Sequence, residues 1–185
     1  MLNIIVFISG NGSNLINLIK ASKNQQLKAK IIGVICNNPN AAGIKHAKDN
    51  QIPYEIIDHK SYPTRKSFEE ELLLRLRSYK YDLICLAGFM RILTSHFLDS
   101  IKVPIINLHP SLLPSFKGEG AIKQALDYGV KIAGCSVHFV KEEIDSGEII
   151  VQRAVAVEND NLESLTKKIQ RQEHLAYIEA INKLA

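Results

Sequence analysis

Two polar side chains, Asn107 and His109, stand at the end of an apolar run, in the segment Asn-Leu-His-Pro-Ser-Leu-Leu-Pro that begins at residue 107. Residues two apart on a β-strand project from the same face, so an amide donor lies beside a group that can carry a proton. The prolines end the strand, which predicts that the pair lies at its carboxyl edge, where open α/β sheets bind ligands. The pattern indicates a catalytic pair, although a structural histidine hydrogen-bonded under a loop fits the same sequence.

A carboxylate follows later in the chain, at Asp145 within the segment Glu-Ile-Asp-Ser-Gly. An aspartate close to His109 would stabilise the imidazolium and position a water for proton transfer. Asp-Ser-Gly is also an ordinary turn sequence, so the choice depends on a distance that the sequence does not give. Ser136 and His138 share one face of a later strand, and they either line the same site or form a cross-strand pair.

A glycine-rich turn, Ser-Gly-Asn-Gly-Ser-Asn from residue 9 to 14, follows the first predicted strand. Glycines let a ligand approach the backbone, and the free N–H groups of the next helix attract anions, so the turn predicts a phosphate site. A purely structural turn, with Ser13 or Asn14 as helix cap, is the alternative. The third glycine of a dinucleotide fingerprint is missing and no acidic residue ends the second strand, which disfavours a nicotinamide cofactor.

Apolar runs alternate with helix-period segments along most of the chain, which predicts a parallel sheet with right-handed crossovers. The last two β-rich runs flank the polar segment 141–147, and we predict that they pair antiparallel. The fold class is therefore α/β: a single Rossmann-like three-layer domain over residues 1–185, mostly parallel, with an antiparallel C-terminal part. Strands are predicted at 3–9, 30–36, 54–57, 83–87, 104–108, 134–140 and 148–157. Helices are predicted at 14–22, 42–50, 64–79, 94–100, 118–128 and 161–184, the last with a buried stripe of Leu162, Leu165, Ile169 and Ile181.

Composition is that of an ordinary globular protein, since 46% of the 185 residues are hydrophobic and 23% are charged. No apolar stretch reaches the length of a membrane-spanning helix. The three cysteines lie far apart in apolar runs, which indicates neither disulfides nor a metal site. No histidines have metal-ligand spacing, so no metal is expected. A net charge of +4 with scattered lysines favours small anionic ligands. We expect a cytoplasmic protein that binds neither membranes nor nucleic acid.

Several separate motifs, taken in their order along the chain, resemble those of the phosphoribosylglycinamide formyltransferase family, which is folate-dependent and belongs to purine synthesis. The resemblance extends along nearly the whole chain. The matching segments are residues 8–15 (ISGNGSNL), 86–93 (LAGFMRIL), 107–114 (NLHPSLLP), 136–140 (SVHFV) and 172–174 (QEH). The resemblance implies transfer of a formyl group from 10-formyltetrahydrofolate, as cosubstrate, to the amine of glycinamide ribonucleotide in de novo purine biosynthesis, with no metal.

The resemblance further implies that Asn107, His109 and Asp145 are the catalytic residues. Asn107 and His109 would donate hydrogen bonds to the formyl oxygen as negative charge grows on it, and removing one such donor should cost about 10² to 10³ in rate. His109 would also carry the proton from the attacking amine toward the departing folate nitrogen. The transfer is direct, and no covalent formyl-enzyme is required.

Ligand-binding residues follow from the same resemblance. Glu173 matches the carboxylate that meets the glycinamide end of the substrate. The residues that match the phosphate site are Gly12, Ser13 and Asn14. The residues that match the folate site are Arg65, Arg91, Ile92, Leu93, Asn107, Lys141, Glu142, Glu143, Ile144 and Asp145.

Other folate enzymes share this chemistry and are the alternatives. Formyltetrahydrofolate deformylase would carry an N-terminal regulatory domain, whereas here the first strand is predicted to begin at residue 3. Methionyl-tRNA formyltransferase, another folate-dependent formyltransferase, resembles the chain only in its catalytic half and would carry a C-terminal RNA-binding domain. A non-enzymatic folate or nucleotide binder could keep Gly12 and Arg91 without the catalytic residues. The expected partners are small-molecule substrates, with the chain acting as a monomer or homodimer.

Overall fold

A seven-stranded sheet with helices on both faces makes up the computed structural model, which describes residues 1–185. The strands are β1 (Leu2–Ile8), β2 (Ala29–Cys36), β3 (Tyr54–Ile56), β4 (Leu83–Leu86), β5 (Ile105–His109), β6 (Ile132–Phe139) and β7 (Ile149–Ala156). The helices are α1 (Ser13–Lys23), α2 (Gly43–Asp49), α3 (Arg65–Leu76), α4 (Ser95–Ser100), α5 (Ala121–Tyr128) and α6 (Leu162–Leu184). One 3₁₀ turn, His59–Ser61, precedes α3.

The strand order is β3-β2-β1-β4-β5-β6-β7. The first five strands are parallel, β6 pairs antiparallel with β5, and β7 pairs antiparallel with β6. The predicted α/β class and the antiparallel C-terminal part are therefore confirmed. Because β2 and β4 flank β1 on opposite sides, the strand order reverses there. The loops after β1 and β4 meet at the carboxyl edge, where such folds bind ligands.

Strand β1 shows how the sheet is buried on both faces. Its residues Ile4, Val6 and Ile8 belong to one hydrophobic core, with α1, α2 and α6, whereas Ile5 and Phe7 belong to the other, with α3 and α4. Side chains alternate across a strand, so a continuous apolar run supplies both cores. Burying each large side chain stabilises the fold by about 1.5 to 3 kcal/mol. No helix is long and apolar enough to cross a membrane.

Most element boundaries differ from the sequence prediction by one to three residues, and two differences, in α5 and α6, have a clear physical reason. Helix α5 begins at Ala121 rather than at residue 118, because Gly118 and Gly120 adopt positive φ angles of 77° and 71°, which a right-handed helix does not contain. Leu162, predicted in the buried stripe of α6, is 48% exposed, whereas Leu165, Ile169 and Ile181 are fully buried. Leu162 is the first residue after the Asn161 cap, and the helix contacts the sheet only from its next turn onward.

Candidate functional site

Asn107 and His109 lie at the carboxyl end of β5, as their position after an apolar run predicts. The antiparallel register places His138 of β6 directly opposite Asn107. The Asn107 amide Nδ2 lies 3.3 Å from His138 Nε2, within hydrogen-bond distance. His138 Nδ1 lies 2.9 Å from the carbonyl oxygen of Phe139, to which it donates. The strand pairing thus joins a second histidine to the pair.

Asp145 lies in the loop between β6 and β7 and reaches all three of these side chains. Its Oδ2 is 3.3 Å from His109 Nδ1, and its Oδ1 is 3.5 Å from both Asn107 Nδ2 and His138 Nε2. Asp145 has a φ of 49°, an uncommon conformation for a residue other than glycine, and only 9% of its side chain is exposed. The structure therefore brings the three predicted catalytic residues together and adds His138, which the sequence left undecided.

Two opposing influences set the charge state of Asp145. Burial acts to raise the pKa of its carboxyl group, but hydrogen bonds from His138 and from the backbone N–H of Gly118, with positive charge on His109, outweigh it. The pKa of Asp145 consequently lies below its ordinary value. A carboxylate at this position remains negative near neutral pH and can stabilise an adjacent imidazolium.

The loop that follows β5 covers His109. His109 Nε2 lies 2.8 Å from the carbonyl oxygen of Phe116, so this nitrogen donates while Nδ1 faces Asp145. The N–H of Gly118 donates to Asp145 Oδ2 over 2.8 Å, and Lys117 pairs with Glu143 at 3.2 Å. Residues 116–118 therefore connect the β5 end to the 141–147 loop. Both ring nitrogens of His109 have protein partners, and a hydrogen bond to a reacting group requires one of them to be released.

Ser136 has a different role from its neighbour His138 on the same strand face. Its hydroxyl donates to the carbonyl of Ser111 over 2.7 Å and accepts from the N–H of Leu113 over 3.0 Å. Gln152 donates to the same hydroxyl over 2.9 Å. These bonds fix the chain as it leaves β5, so Ser136 holds the backbone next to the site. The sequence left open whether both polar residues line the site or form a cross-strand pair, and the structure separates them, since only His138 contacts Asn107 and Asp145.

The glycine turn leads into α1 through Gly12, which is the residue before the helix and has a φ of 72°. No side chain caps α1, which corrects the alternative that Ser13 or Asn14 does so. The first N–H groups of the helix have no partner inside it and are available to an anion. A Cβ on Gly12 would lie 2.8 Å from the Cα of Gly43, whereas one on Gly10 would meet nothing within 4 Å.

These distances separate the roles of the two glycines. Gly12 allows the turn to pack against α2, so its small size serves a contact within the protein. A Cβ on Gly10 would meet no protein atom within 4 Å, so the small size of Gly10 serves no contact within the protein. The sequence motif contains both glycines, but the predicted phosphate residues Gly12, Ser13 and Asn14 do not include Gly10.

Glu173 of α6 lies beside the first turn of α1. Its Oε2 accepts from Asn14 Nδ2 at 3.4 Å, and the Oδ1 of Asn14 is buried without a partner. Burial raises the pKa of Glu173, and the hydrogen bond from Asn14 offsets only part of that effect. Next to it, burial and the charge of Lys20 lower the pKa of His174. These polar groups are incompletely satisfied within the protein and can accept the polar end of a ligand.

The loop after β4 carries Arg91, Ile92 and Leu93 at the same edge of the sheet. Leu93 is buried, Ile92 is 48% exposed, and the preceding Met90 is 66% exposed. The Nε of Arg91 is buried and has no hydrogen-bond partner. Exposed apolar side chains beside an unpaired donor suit a flat heterocycle that carries hydrogen-bonding groups. Sequence reasoning missed Met90, although it lies within the matching segment 86–93.

The remaining residues predicted for the folate site lie on two other segments. Residues 141–144 are exposed and lead directly into Asp145, so they flank the catalytic group. Arg65 is the first residue of α3, is exposed, and makes no hydrogen bond or ion pair within the protein. It follows the 3₁₀ turn after β3, which also lies beyond the carboxyl end of the sheet. No group of three or more His, Cys, Asp or Glu side chains is arranged so that it could hold a metal ion.

Comparison with known proteins identifies relatives over nearly the whole chain. Residues 2–181 match the model of the formyl transferase family. The chain is 39% identical to phosphoribosylglycinamide formyltransferase of Bacillus subtilis (strain 168), covering 97% of this chain and 92% of that protein. A crystal structure of glycinamide ribonucleotide transformylase 1 from Symbiobacterium toebii superimposes with a TM-score of 0.94 at 41% identity, covering 98% of this chain and 86% of that one.

Larger proteins are also similar to the chain. It is 43% identical over 183 residues to the trifunctional purine biosynthetic protein adenosine-3 of Gallus gallus, with 98% of this chain covered. It spans 13% to 18% of the length of the trifunctional relatives that it matches. The similarity to those proteins therefore concerns a small part of each.

Proposed function

The chain belongs to the formyl transferase family, and from this membership we propose that it is a phosphoribosylglycinamide formyltransferase of de novo purine biosynthesis. The observation that carries the proposal is the convergence of β5 with the loop between β6 and β7. Asp145 of that loop lies 3.5 Å from Asn107 Nδ2 and 3.3 Å from His109 Nδ1. An amide donor, a proton carrier and a carboxylate are the groups that acyl transfer to an amine requires.

When bound, 10-formyltetrahydrofolate supplies the formyl group that the substrate amine attacks. Asn107 stabilises the reaction because its Nδ2 donates a hydrogen bond to the formyl oxygen, on which negative charge grows. His138 and Asp145 hold that amide from the other side, at 3.3 and 3.5 Å. A donor fixed before the reaction costs no reorganisation during it, which is the source of its catalytic effect.

His109 and Asp145 handle the proton. Asp145 stays negative because its pKa is low, and it holds the charged imidazolium through Nδ1. The other ring nitrogen, Nε2, donates to the formyl oxygen once the Phe116 carbonyl releases it. Phe116 has a φ of 53°, an unfavourable conformation for a bulky residue, so a change of this loop that releases Nε2 would also relieve backbone strain. His109, with a water held at Asp145, takes the proton from the amine and passes it toward the folate nitrogen.

The remaining groups bind and orient the two substrates. The first turn of α1, with Gly12, Ser13 and Asn14, binds the ribonucleotide phosphate through free N–H groups. Glu173 accepts a hydrogen bond from the glycinamide end. The folate site fits the residues present, since Met90 and Ile92 offer exposed apolar surface and the buried Nε of Arg91 lacks a partner. The other residues of the folate site are Arg65, Leu93, Asn107, Lys141, Glu142, Glu143, Ile144 and Asp145.

The setting of the reaction follows from the same proposal. Residues 1–185 act as one formyltransferase domain, as a monomer or homodimer in the cytoplasm, with small-molecule substrates and neither nucleic acid nor a membrane as partner. Three buried free thiols, Cys36, Cys85 and Cys135, support a reducing compartment. Burial raises the pKa of Cys135 to about 12 and raises that of Cys85 further, so both remain protonated and unreactive.

One experiment tests the function against the other members of the family. The protein is incubated with 10-formyltetrahydrofolate alone, with added glycinamide ribonucleotide, and with added methionylated initiator tRNA, and products are identified by mass spectrometry. We expect formylglycinamide ribonucleotide in the second reaction only. Formate in the first reaction would identify a deformylase, and formylmethionyl-tRNA in the third would identify the tRNA enzyme. Binding of folate without any product would contradict an enzymatic function.

A further inference from the structure

The segment from Gly88 to Thr94, here called the 88–94 loop, joins β4 to α4 and carries Arg91, Ile92 and Leu93. Such a loop would fold in several ways if only its own residues held it, because it has no helix or strand hydrogen bonds. The structure holds it at both ends through buried polar side chains from other elements. These two side chains, Ser9 and Glu69, make no contact with the catalytic residues and have no role in the function proposed above.

Ser9 fixes the first half of the loop. It is 8% exposed, and its hydroxyl accepts from the N–H of Met90 over 2.8 Å while donating to Asn37 Oδ1 over 2.5 Å. Its own N–H donates to the carbonyl of Gly88 over 3.1 Å. Asn37 is 2% exposed and is itself held beside His59, with 3.1 Å between its Nδ2 and the ring Nδ1. The hydroxyl of Ser9 therefore has a fixed direction.

Glu69 fixes the second half. This carboxylate of α3 is 1% exposed and accepts two hydrogen bonds from Thr94, one from the backbone N–H over 2.8 Å and one from the hydroxyl. Thr94 also caps α4 by accepting from the N–H of Phe97. A buried carboxylate is costly unless hydrogen-bonded, so the Glu69 side chain strongly favours the one loop conformation that supplies both donors.

We propose that Ser9 and Glu69 are positioning residues, which hold the 88–94 loop as a preformed wall of the folate site. The identity of the ligand in this inference rests on the proposed function, whereas the position of the loop rests on the hydrogen bonds alone. Ser9 also begins the glycine turn that binds the phosphate. A single hydroxyl therefore fixes the distance between the wall that binds one substrate and the turn that binds the other. Direct formyl transfer requires that distance to be constant, since both substrates must meet within bonding reach.

The first test measures ligand affinity in Ser9→Ala and Glu69→Ala by calorimetry, with tetrahydrofolate and glycinamide ribonucleotide as the two probes. Losing a buried hydrogen bond to the loop should weaken tetrahydrofolate binding about tenfold. Glu69→Gln, which retains one acceptor oxygen, should recover part of the loss. Glycinamide ribonucleotide should bind Glu69→Ala as it binds the wild type. Ser164→Ala, which removes a cap of α6 far from the loop, serves as the control for lowered stability.

A second measurement separates this inference from the proposed function. NMR-detected hydrogen exchange of the ligand-free protein should show protected N–H groups at Met90 and Thr94, with Met90 exchanging faster in Ser9→Ala and Thr94 in Glu69→Ala. If the wild type binds no folate while these protections are seen, the proposed function fails and the loop geometry stands. Unchanged exchange in both variants would overturn the positioning role. So would lowered melting temperatures with unchanged tetrahydrofolate affinity, since that pattern belongs to a merely structural role.

Discussion

The two ends of the site each contain a partly buried carboxylate, and the two carboxylates are shifted in opposite directions. Asp145 lies where formyl transfer is proposed, here called the transfer end, and has a pKa below its ordinary value. Glu173 lies where ribonucleotide binding is proposed, here called the phosphate end, and has a raised pKa. Burial acts in the same direction on both. Asp145 receives hydrogen bonds from His138 and from the Gly118 N–H and lies beside His109, whereas Glu173 receives one long hydrogen bond from Asn14. The hydrogen bonds that each carboxylate receives, set against its depth of burial, decide the direction in which its pKa shifts.

The elements that hold the two carboxylates differ as well. Glu173 lies in the middle of the 23-residue helix α6, which packs on the sheet through Ile169, Ala176 and Tyr177. Asp145 lies in a loop, has a positive φ, and depends on a second loop for the Gly118 hydrogen bond. Helix packing therefore fixes the position of Glu173, whereas two loops together fix the position of Asp145. This division suits an enzyme that must admit and release two substrates around one fixed anchor.

The largest expected effect comes from removing charge at the transfer end. Asp145→Asn keeps the shape of the side chain but removes the negative charge that stabilises the imidazolium, so kcat should fall by about 10² or more. Both ligands should still bind. Steady-state kinetics and calorimetry measure these quantities, with Glu163→Gln, a distant exposed carboxylate on α6, as control. Near-normal turnover would show that Asp145 is only a turn residue, a role that the sequence Asp-Ser-Gly also suits.

At the phosphate end, Gly10→Val should raise the KM for glycinamide ribonucleotide by about 10- to 100-fold, the cost of losing charge-assisted hydrogen bonds. The melting temperature should change little, because a Cβ on Gly10 meets nothing within 4 Å. Gly12→Ala provides the contrast. Its Cβ would press on Gly43 at a φ of 72°, so this variant should lose stability. An unchanged KM in Gly10→Val would show that the phosphate binds elsewhere.

Glu173→Gln should have a smaller effect, confined to one substrate. The KM for glycinamide ribonucleotide should rise about tenfold through loss of a charged acceptor, while folate affinity is retained. Glu179→Gln tests whether any change on α6 has the same result, since Glu179 lies on the same helix and pairs instead with Arg153 and Lys183. Equal loss of affinity for both ligands in Glu173→Gln would indicate a general disturbance of the site.

The smallest expected effect is a difference in the pH dependence of stability. Because the pKa of Asp145 is lower in the folded protein, its ionised carboxylate stabilises the folded state at pH values above the unfolded pKa of about 4. This stabilisation is lost as the pH falls through the pKa of the folded protein. Because the pKa of Glu173 is higher in the folded protein, its protonated form stabilises the folded state at pH values below the unfolded pKa. This stabilisation is lost as the pH rises through the pKa of the folded protein. Relative to wild type, Asp145→Asn should therefore lose stability between pH 3 and 7, and Glu173→Gln should gain it, by urea unfolding. If the free energy of unfolding changed with pH in the same way in both variants, the opposite pKa shifts of Asp145 and Glu173 would be contradicted.

Local patterns in the sequence were enough to predict most of the fold. The apolar run of β1 predicts a strand buried on both faces, and 3.6-residue periodicity predicts α6, because these patterns record which side of an element faces the core. Errors occur where backbone conformation rather than hydrophobicity decides. Gly118 and Gly120 delay the start of α5, and Leu162 falls outside the contact between α6 and the sheet.

The sequence by itself determined which chemical groups the site contains, since Asn107, His109, Asp145 and the glycine turn are recognisable by type and order. Only the tertiary structure decided how they act. The pairing of β5 with β6 places His138 against Asn107, and the two loops bring Asp145 and the Phe116 carbonyl to opposite nitrogens of His109. Local propensity specifies an element and its faces, whereas a distance between side chains far apart in sequence depends on strand register and loop conformation together.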